Sequence, residues 1–196
     1  MNNKAEHQPI RAFLAVRLPL DLAATLYKKA RHRLVGAQQE MFRWVVPQQQ
    51  HVTLKFLGNS SQEQLNQLVA YLEEQLAGLS SFDCMTGRFD FFPDASRPKV
   101  LALHMHSGQQ LRKIAAICEE GAVRIGFKRE RRNFTPHVTL ARFSKRRQVT
   151  YSDFFNLPSF VMDVGEVVLM QSHTTEEGSV YKTLHAFPLK PSRYRA

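Results

Sequence analysis

The tetrapeptide HVTL stands at His51–Leu54 and again, letter for letter, at His137–Leu140. Side chains alternate along an extended strand, so His51 and Thr53 share one face while Val52 and Leu54 anchor the other. The same division sets His137 and Thr139 against Val138 and Leu140. If the two strands lie side by side about a pseudo-twofold axis, two imidazoles and two hydroxyls face one cleft. That set suits metal-free cleavage of a phosphodiester. An imidazole with an unperturbed pKa of about 6.5 is present in both forms at neutral pH, so one ring can take a proton from water while the other, as imidazolium, gives one to the departing oxygen. The roles are opposite, and two rings are needed. Each threonine hydroxyl can hydrogen-bond a non-bridging phosphate oxygen and steady the charge that grows at phosphorus.

Spacing alone leaves other readings open. A chance repeat carrying two ordinary polar-face histidines fits the four letters equally well. Metal binding is a further alternative, because His104 and His106 in LALHMHS share a strand face, but no third ligand stands near them and neither HExxH nor CxxC occurs. Cys84 and Cys118 sit in apolar surroundings without ligand spacing and read as small buried hydrophobes, with no zinc site and no disulfide framework. No metal and no cofactor are expected. His7, His32, His173 and His185 carry no motif.

The elements that must hold these residues are legible in outline. IRAFLAVRLP reads as a strand stopped by Pro19, and Asp21–Ala37 as an amphipathic helix with Leu22, Leu26, Ala30 and Leu34 on one stripe. FRWVV is a short strand ended by Pro47, and HVTLKFLG a longer one stopped by Gly58. Ser61 with Gln64 three residues later signals a capping box ahead of the periodic Leu65, Leu68, Val69, Leu72 and Leu76. Segments 82–92 and 100–106 form an expected hairpin, 109–125 a third helix, 134–143 the second HVTL strand, and 160–171 with 180–189 two closing strands around TTEEGS. Mixed order with antiparallel pairing gives an α+β fold with the helices packed on one side.

Composition bounds the partner. The 196 residues, 43% hydrophobic, suffice for one bilobal domain spanning 1–196 with one HVTL copy per lobe. No apolar run approaches a membrane span, and MNNKAEHQPI lacks the basic-then-apolar order of a signal peptide, so a cytoplasmic address is expected. The formal net charge of +10 favours a polyanion such as nucleic acid. Nothing demands more than a monomer.

In these residues the chain resembles the two-histidine (2H) phosphoesterases, in particular the bacterial and archaeal RNA 2′,3′-cyclic phosphodiesterases once called 2′-5′ RNA ligases. AFLAVRLP, RWVVPQQQHVTLKFLG, FTPHVTLAR and the closing MQSHTTEEGSVYKTLHAFPL carry the likeness over nearly the whole chain. The resemblance implies a bilobal α+β fold in which two pseudo-twofold-related lobes of mostly antiparallel sheet, helices outside, each present one motif to a central groove. It implies hydrolysis of a terminal 2′,3′-cyclic phosphate of RNA to a 2′-phosphate without metal, with His51 as acid, His137 as base, and Thr53 and Thr139 on the phosphate. A relative acting on another cyclic phosphate, a 2′-5′ ligation or cleavage activity, and a non-catalytic RNA-end binding module are the alternatives. Arg142 matches the family's arginine five residues after its second histidine. Strict alternation sends it to the wrong face, so it reaches the cleft only if the strand bends or bulges near Ala141.

Lys128, Arg129, Arg131, Arg132, Arg142, Lys145, Arg146 and Arg147 crowd the second motif and form an expected basic rim for backbone phosphates. Phe13, Trp44, Phe56 and Phe143 are candidates to stack on a terminal base. Core packing suits most of them, with Phe56 the expected exception. Ser172 and Tyr181 lie where the family's groove is lined, and nothing local gives them a role.

Overall fold

The computed structural model describes residues 8–32, 42–92, 98–143, 158–176 and 178–192. Its elements follow in the order β1 (Ile10–Arg17), α1 (Leu20–His32), β2 (Phe42–Trp44), β3 (His51–Ser60), α2 (Gln62–Leu76), β4 (Phe82–Phe92), β5 (Val100–His106), α3 (Gln110–Arg124), β6 (His137–Phe143), β7 (Val161–Val164), β8 (Glu166–Thr175) and β9 (Gly178–Pro188). The end of the expected first helix, 33–37, lies outside the described residues.

The strands form one sheet in the order β7-β4-β5-β6-β3-β1-β8-β9, with β2 also pairing β6. Every named pairing is antiparallel. The order reads the same outward from its middle: β3 leads through β1 and β8 to β9, and β6 leads through β5 and β4 to β7. These are the two lobes. They meet at the pairing of Val52 with Val138, inside the two HVTL copies.

One apolar face of this curled sheet lies under the helices. Leu22, Leu26 and Ala30 of α1, Leu65, Leu68, Leu72 and Leu76 of α2, and Leu111, Ile114 and Cys118 of α3 join Val52, Leu54, Val138 and Leu140 in the main core. The stripe of leucines in α2 is held in register by its cap: the Ser61 hydroxyl accepts from Gln64 N at 3.1 Å, and the Gln64 side chain accepts from Ser61 N at 3.0 Å. Losing such a cap costs about 1 kcal/mol. A second, smaller cluster of Phe13, Ala15, Val168 and Met170, with Tyr181 against it, lies on the opposite face.

One strand expected from the sequence divides. Residues 160–171 form β7, which pairs β4 at one edge of the sheet, and β8, which pairs β1 in the other lobe; the division falls at Gly165. Burial explains the switch. Val161–Val164 alternates exposed and buried, as an edge strand does, whereas Val167, Val168, Leu169 and Met170 are all buried because β8 is covered on both faces. The two cysteines are free and fully buried, and burial pushes the Cys84 thiol up to about 11 and that of Cys118 to about 12.

Candidate active site

The groove face is the one opposite the main core. Val52, Leu54, Val138 and Leu140 are buried beneath the helices, so His51, Thr53, His137 and Thr139 point the other way, and all four are partly exposed. An antiparallel register through Val52 and Val138 sets His51 across from Thr139 and Thr53 across from His137. The two histidines are then diagonal neighbours, which in such a pair stand about 7–8 Å apart. His51 feels the other lobe directly: the charges of Arg142 and His137 both act to lower its pKa.

Both imidazoles are locked the same way. His51 Nδ1 lies 2.7 Å from the Gln49 carbonyl oxygen, and His137 Nδ1 lies 2.7 Å from that of Thr135. A carbonyl only accepts, so each Nδ1 carries the proton, and each Nε2 is left free to give or take one. The two lead-ins reach this geometry differently. Before His51, Pro47 opens a 3₁₀ turn over Pro47–Gln49, and the Gln50 side chain donates to the Val45 carbonyl at 3.1 Å. Before His137, Pro136 restricts Thr135 to extended backbone, and the Pro136 carbonyl accepts from Met105 N at 3.0 Å.

Aromatic rings brace both histidines. Phe92 stacks on His137 with centroids 4.7 Å apart and planes 14° from parallel. Phe13 tilts against His51 at 4.9 Å, and Tyr181 meets it edge-on at 5.2 Å. Phe92 and Tyr181 are the residues sequence reasoning missed or left without a role. Phe92 ends β4, and only the pairing of β4 with β5 and of β5 with β6 brings it beside His137. No local signal in the sequence marks it. Tyr181 could have been found by alternation, since it pairs with Ser172 across the closing hairpin. Burial lowers the pKa of both histidines, more than their carbonyl bonds raise them.

The bulge that Arg142 requires is present. Leu101 pairs with Ala141 and Ala102 with Thr139, so Leu140 is skipped. Leu140 and Ala141 are both buried, and the phase reverses, returning the exposed Arg142 to the groove face. The first copy has the same irregularity. Leu14 pairs with Lys55 and Ala15 with Thr53, Leu54 is skipped, and Leu54 and Lys55 are consecutive buried residues. Phe56 therefore occupies in one lobe the place of Arg142 in the other, and it is 71% exposed. Lys55 turns inward beneath α3, where its Nζ lies 2.8 Å from Glu119 Oε2 and donates to the Lys128 carbonyl at 2.9 Å.

The other aromatic candidates are packing residues. Trp44 rests on Tyr27 and Phe42, and Phe143 on Phe42 and Phe91, all on the helix side, while Phe13 is 3% exposed under His51. In the basic rim, Arg129 pairs with Glu120 at 3.2 Å, Arg131 and Arg132 are exposed, and Lys145, Arg146 and Arg147 lie outside the described residues. His104 Nε2 lies 3.2 Å from Asp90 Oδ2. Among the described residues no group of three or more His, Cys, Asp or Glu is placed to hold a metal ion, and no helix is long and apolar enough to cross a membrane.

Residues 20–176 match the family model of the 2′-5′ RNA ligase superfamily. The chain is 31% identical over 130 residues to a Bacillus subtilis protein named RNA 2′,3′-cyclic phosphodiesterase, covering 66% of this chain and 69% of that one. A Methanothermobacter thermautotrophicus protein of the same name is 26% identical over 185 residues, 92% of this chain and 99% of its own. The crystal structure of E. coli LigT complexed with 3′-AMP superposes with a TM-score of 0.79 at 24% identity, over 93% of this chain and 99% of that one. A Thermus thermophilus structure gives 0.77 at 24% identity, over 93% and 100%. At these identities the superpositions speak for the fold.

Proposed function

Since this chain belongs to the 2′-5′ RNA ligase superfamily of 2H phosphoesterases, we infer that it hydrolyses the 2′,3′-cyclic phosphate at an RNA terminus to a 2′-phosphate, without metal, using its two HVTL histidines as acid and base. The observation that carries the reading is the twin lock: two imidazoles on one face, each with Nδ1 tied to a carbonyl at 2.7 Å and Nε2 without a hydrogen-bond partner among the described residues.

The reaction balances on those two atoms. His137 Nε2 takes a proton from a water molecule as its oxygen bonds to phosphorus. The P–O3′ bond breaks, and His51 Nε2, entering as imidazolium, protonates O3′. The product is a 2′-phosphate beside a 3′-hydroxyl, and the exchange of one proton between the rings through solvent resets the pair. Which ring plays which part follows the family likeness; the lowered pKa common to both supports the pairing without dividing it. Thr53 and Thr139 donate to the non-bridging oxygens, and Arg142 adds a positive charge whose attraction grows as those oxygens become more anionic in the transition state. Phe56, exposed on the same face, offers its ring to the terminal base. The whole bilobal chain, 1–196, acts as one unit, with RNA as its partner.

The test is an oligoribonucleotide ending in a 2′,3′-cyclic phosphate, incubated with the protein in EDTA, with the product phosphate located. A 2′-phosphate is expected. A 3′-phosphate would contradict the O3′ leaving group, loss of turnover in EDTA would remove the metal-free mechanism, and binding without turnover would make the groove an RNA-end receptor.

A further inference from the structure

Beyond its bulge, β6 leaves β3 and takes β2 as its neighbour, with Phe42 opposite Phe143, Arg43 opposite Arg142 and Trp44 opposite Ala141. Directly opposed residues share a face. Phe42, Trp44, Ala141 and Phe143 pack on the helix side, so Arg43 and Arg142 stand together on the groove side, and both are exposed. Two like charges placed directly opposite each other destabilise a strand pair. Among the described residues neither guanidinium has a carboxylate partner to relieve the repulsion, in contrast to Arg17 with Glu166 and Arg129 with Glu120. The first lobe has no such pair, because Phe56 fills the place of Arg142 there.

A paired set of unneutralised guanidiniums calls for more anion than the single negative charge of a cyclic phosphodiester brings. Arg142 is the nearer of the two to the reaction, since its charge is felt at His51. Arg43 stands on β2, which takes over the β3 edge of β6 beyond the bulge, farther along β6 than the level of His51. We propose that Arg43 is a specificity-determining residue that binds the internucleotide phosphate next to the reacting one, so that the site selects an RNA chain end over a lone nucleoside cyclic phosphate. This rests on the RNA-terminus reading above. The planar fork of arginine suits a bidentate grip on a diester's two free oxygens.

The test separates Arg43 from the terminal phosphate by chemistry in the ligand. Binding is measured by calorimetry for two dinucleotides ending in a 2′-phosphate, one with an ordinary phosphodiester linkage and one with an uncharged methylphosphonate there. Arg43→Gln should weaken the charged dinucleotide about tenfold and leave the methylphosphonate affinity within about twofold, and it should reduce the salt slope for the charged ligand by about 0.7. Arg43→Lys, which keeps the charge and loses the fork, should fall between. Equal weakening of both dinucleotides would assign Arg43 to the terminal phosphate, and no weakening of either would assign it no ligand; each overturns the proposal. If the wild-type protein bound neither dinucleotide, the RNA-terminus reading itself would fail, and the Arg43 site with it.

Discussion

Strands β3 and β6 begin with the same four residues, carry the same bulge and tie their histidines to the same kind of carbonyl, then differ at the next two places. At the fifth, Lys55 stands where β6 has Ala141; at the sixth, Phe56 stands where it has Arg142. The shared part would supply what the proposed in-line displacement needs on both sides of phosphorus. In the proposed reaction the divergent part faces an RNA end, which has a base on one side and a charged backbone on the other. A site with true twofold symmetry would offer the same group to both. The lobes thus repeat where the chemistry repeats and part where the ligand is lopsided.

The largest effect should come from breaking the shared part. His51→Ala and His137→Ala are each expected to lower kcat on a cyclic-phosphate oligoribonucleotide by about 10²–10⁴, read in single-turnover experiments. Comparable losses would bear out the equivalence of the two locks. A variant that kept near-wild-type turnover would remove its ring from the reaction and leave the repeat without its explanation.

Next in size is the fifth place. Lys55 is 7% exposed and held by Glu119 and the Lys128 carbonyl, while Ala141 is fully buried and apolar. Removing one partner of a buried ion pair costs about 3–5 kcal/mol, whereas an apolar residue of similar volume is often tolerated. Lys55→Ala should lower the unfolding free energy by that amount in urea titrations, and Lys55→Met by much less. Equal losses would show that Lys55 acts by filling space.

The sixth place should divide binding from rate. Arg142→Ala is expected to lower kcat about 10- to 100-fold, because its charge acts on the transition state. Phe56→Ala is expected to raise KM with little change in kcat, losing a stacking contact of about 1–3 kcal/mol. If both variants moved the same constant, the two positions would not be performing different tasks.

How much of this was legible depends on range. The repeated HVTL, the alternation that turns its histidine and threonine to one face, and the capping box at Ser61 are local and were readable. Even the bulge left a trace, since Arg142 could reach the cleft only if the strand broke phase near Ala141. The division at Gly165 was hidden, because a run of apolar residues does not say whether a strand is covered on one face or two. The carbonyl locks at Gln49 and Thr135 were hidden because backbone acceptors have no letter. Phe92 was hidden because its contact with His137 passes through two strand pairings that only the folded sheet establishes.

The smallest expected effects are those of pH, and here the two lobes should agree in sign. Burial lowers the pKa of both histidines below the ordinary imidazole value. The profile of kcat/KM reports the acid and base of the free enzyme, so with both pKa values lowered its maximum should fall on the acidic side of about pH 6.5. Stability moves the other way. A histidine whose folded pKa is depressed binds fewer protons folded than unfolded as pH drops below about 6.5, so unfolding takes up protons there and the native state weakens on acidification; above that value the penalty is absent. Urea midpoints measured at about pH 7.5 and 5.5 should therefore differ more in the wild-type protein than in the His51→Gln/His137→Gln double variant. A wild-type midpoint no more sensitive to acid than the double variant's would mean that neither ring resists protonation in the fold. With both pKa values lowered, the protein should turn over fastest at a pH where its own two histidines begin to oppose folding, a tension that bound phosphate, by favouring imidazolium beside it, would relieve.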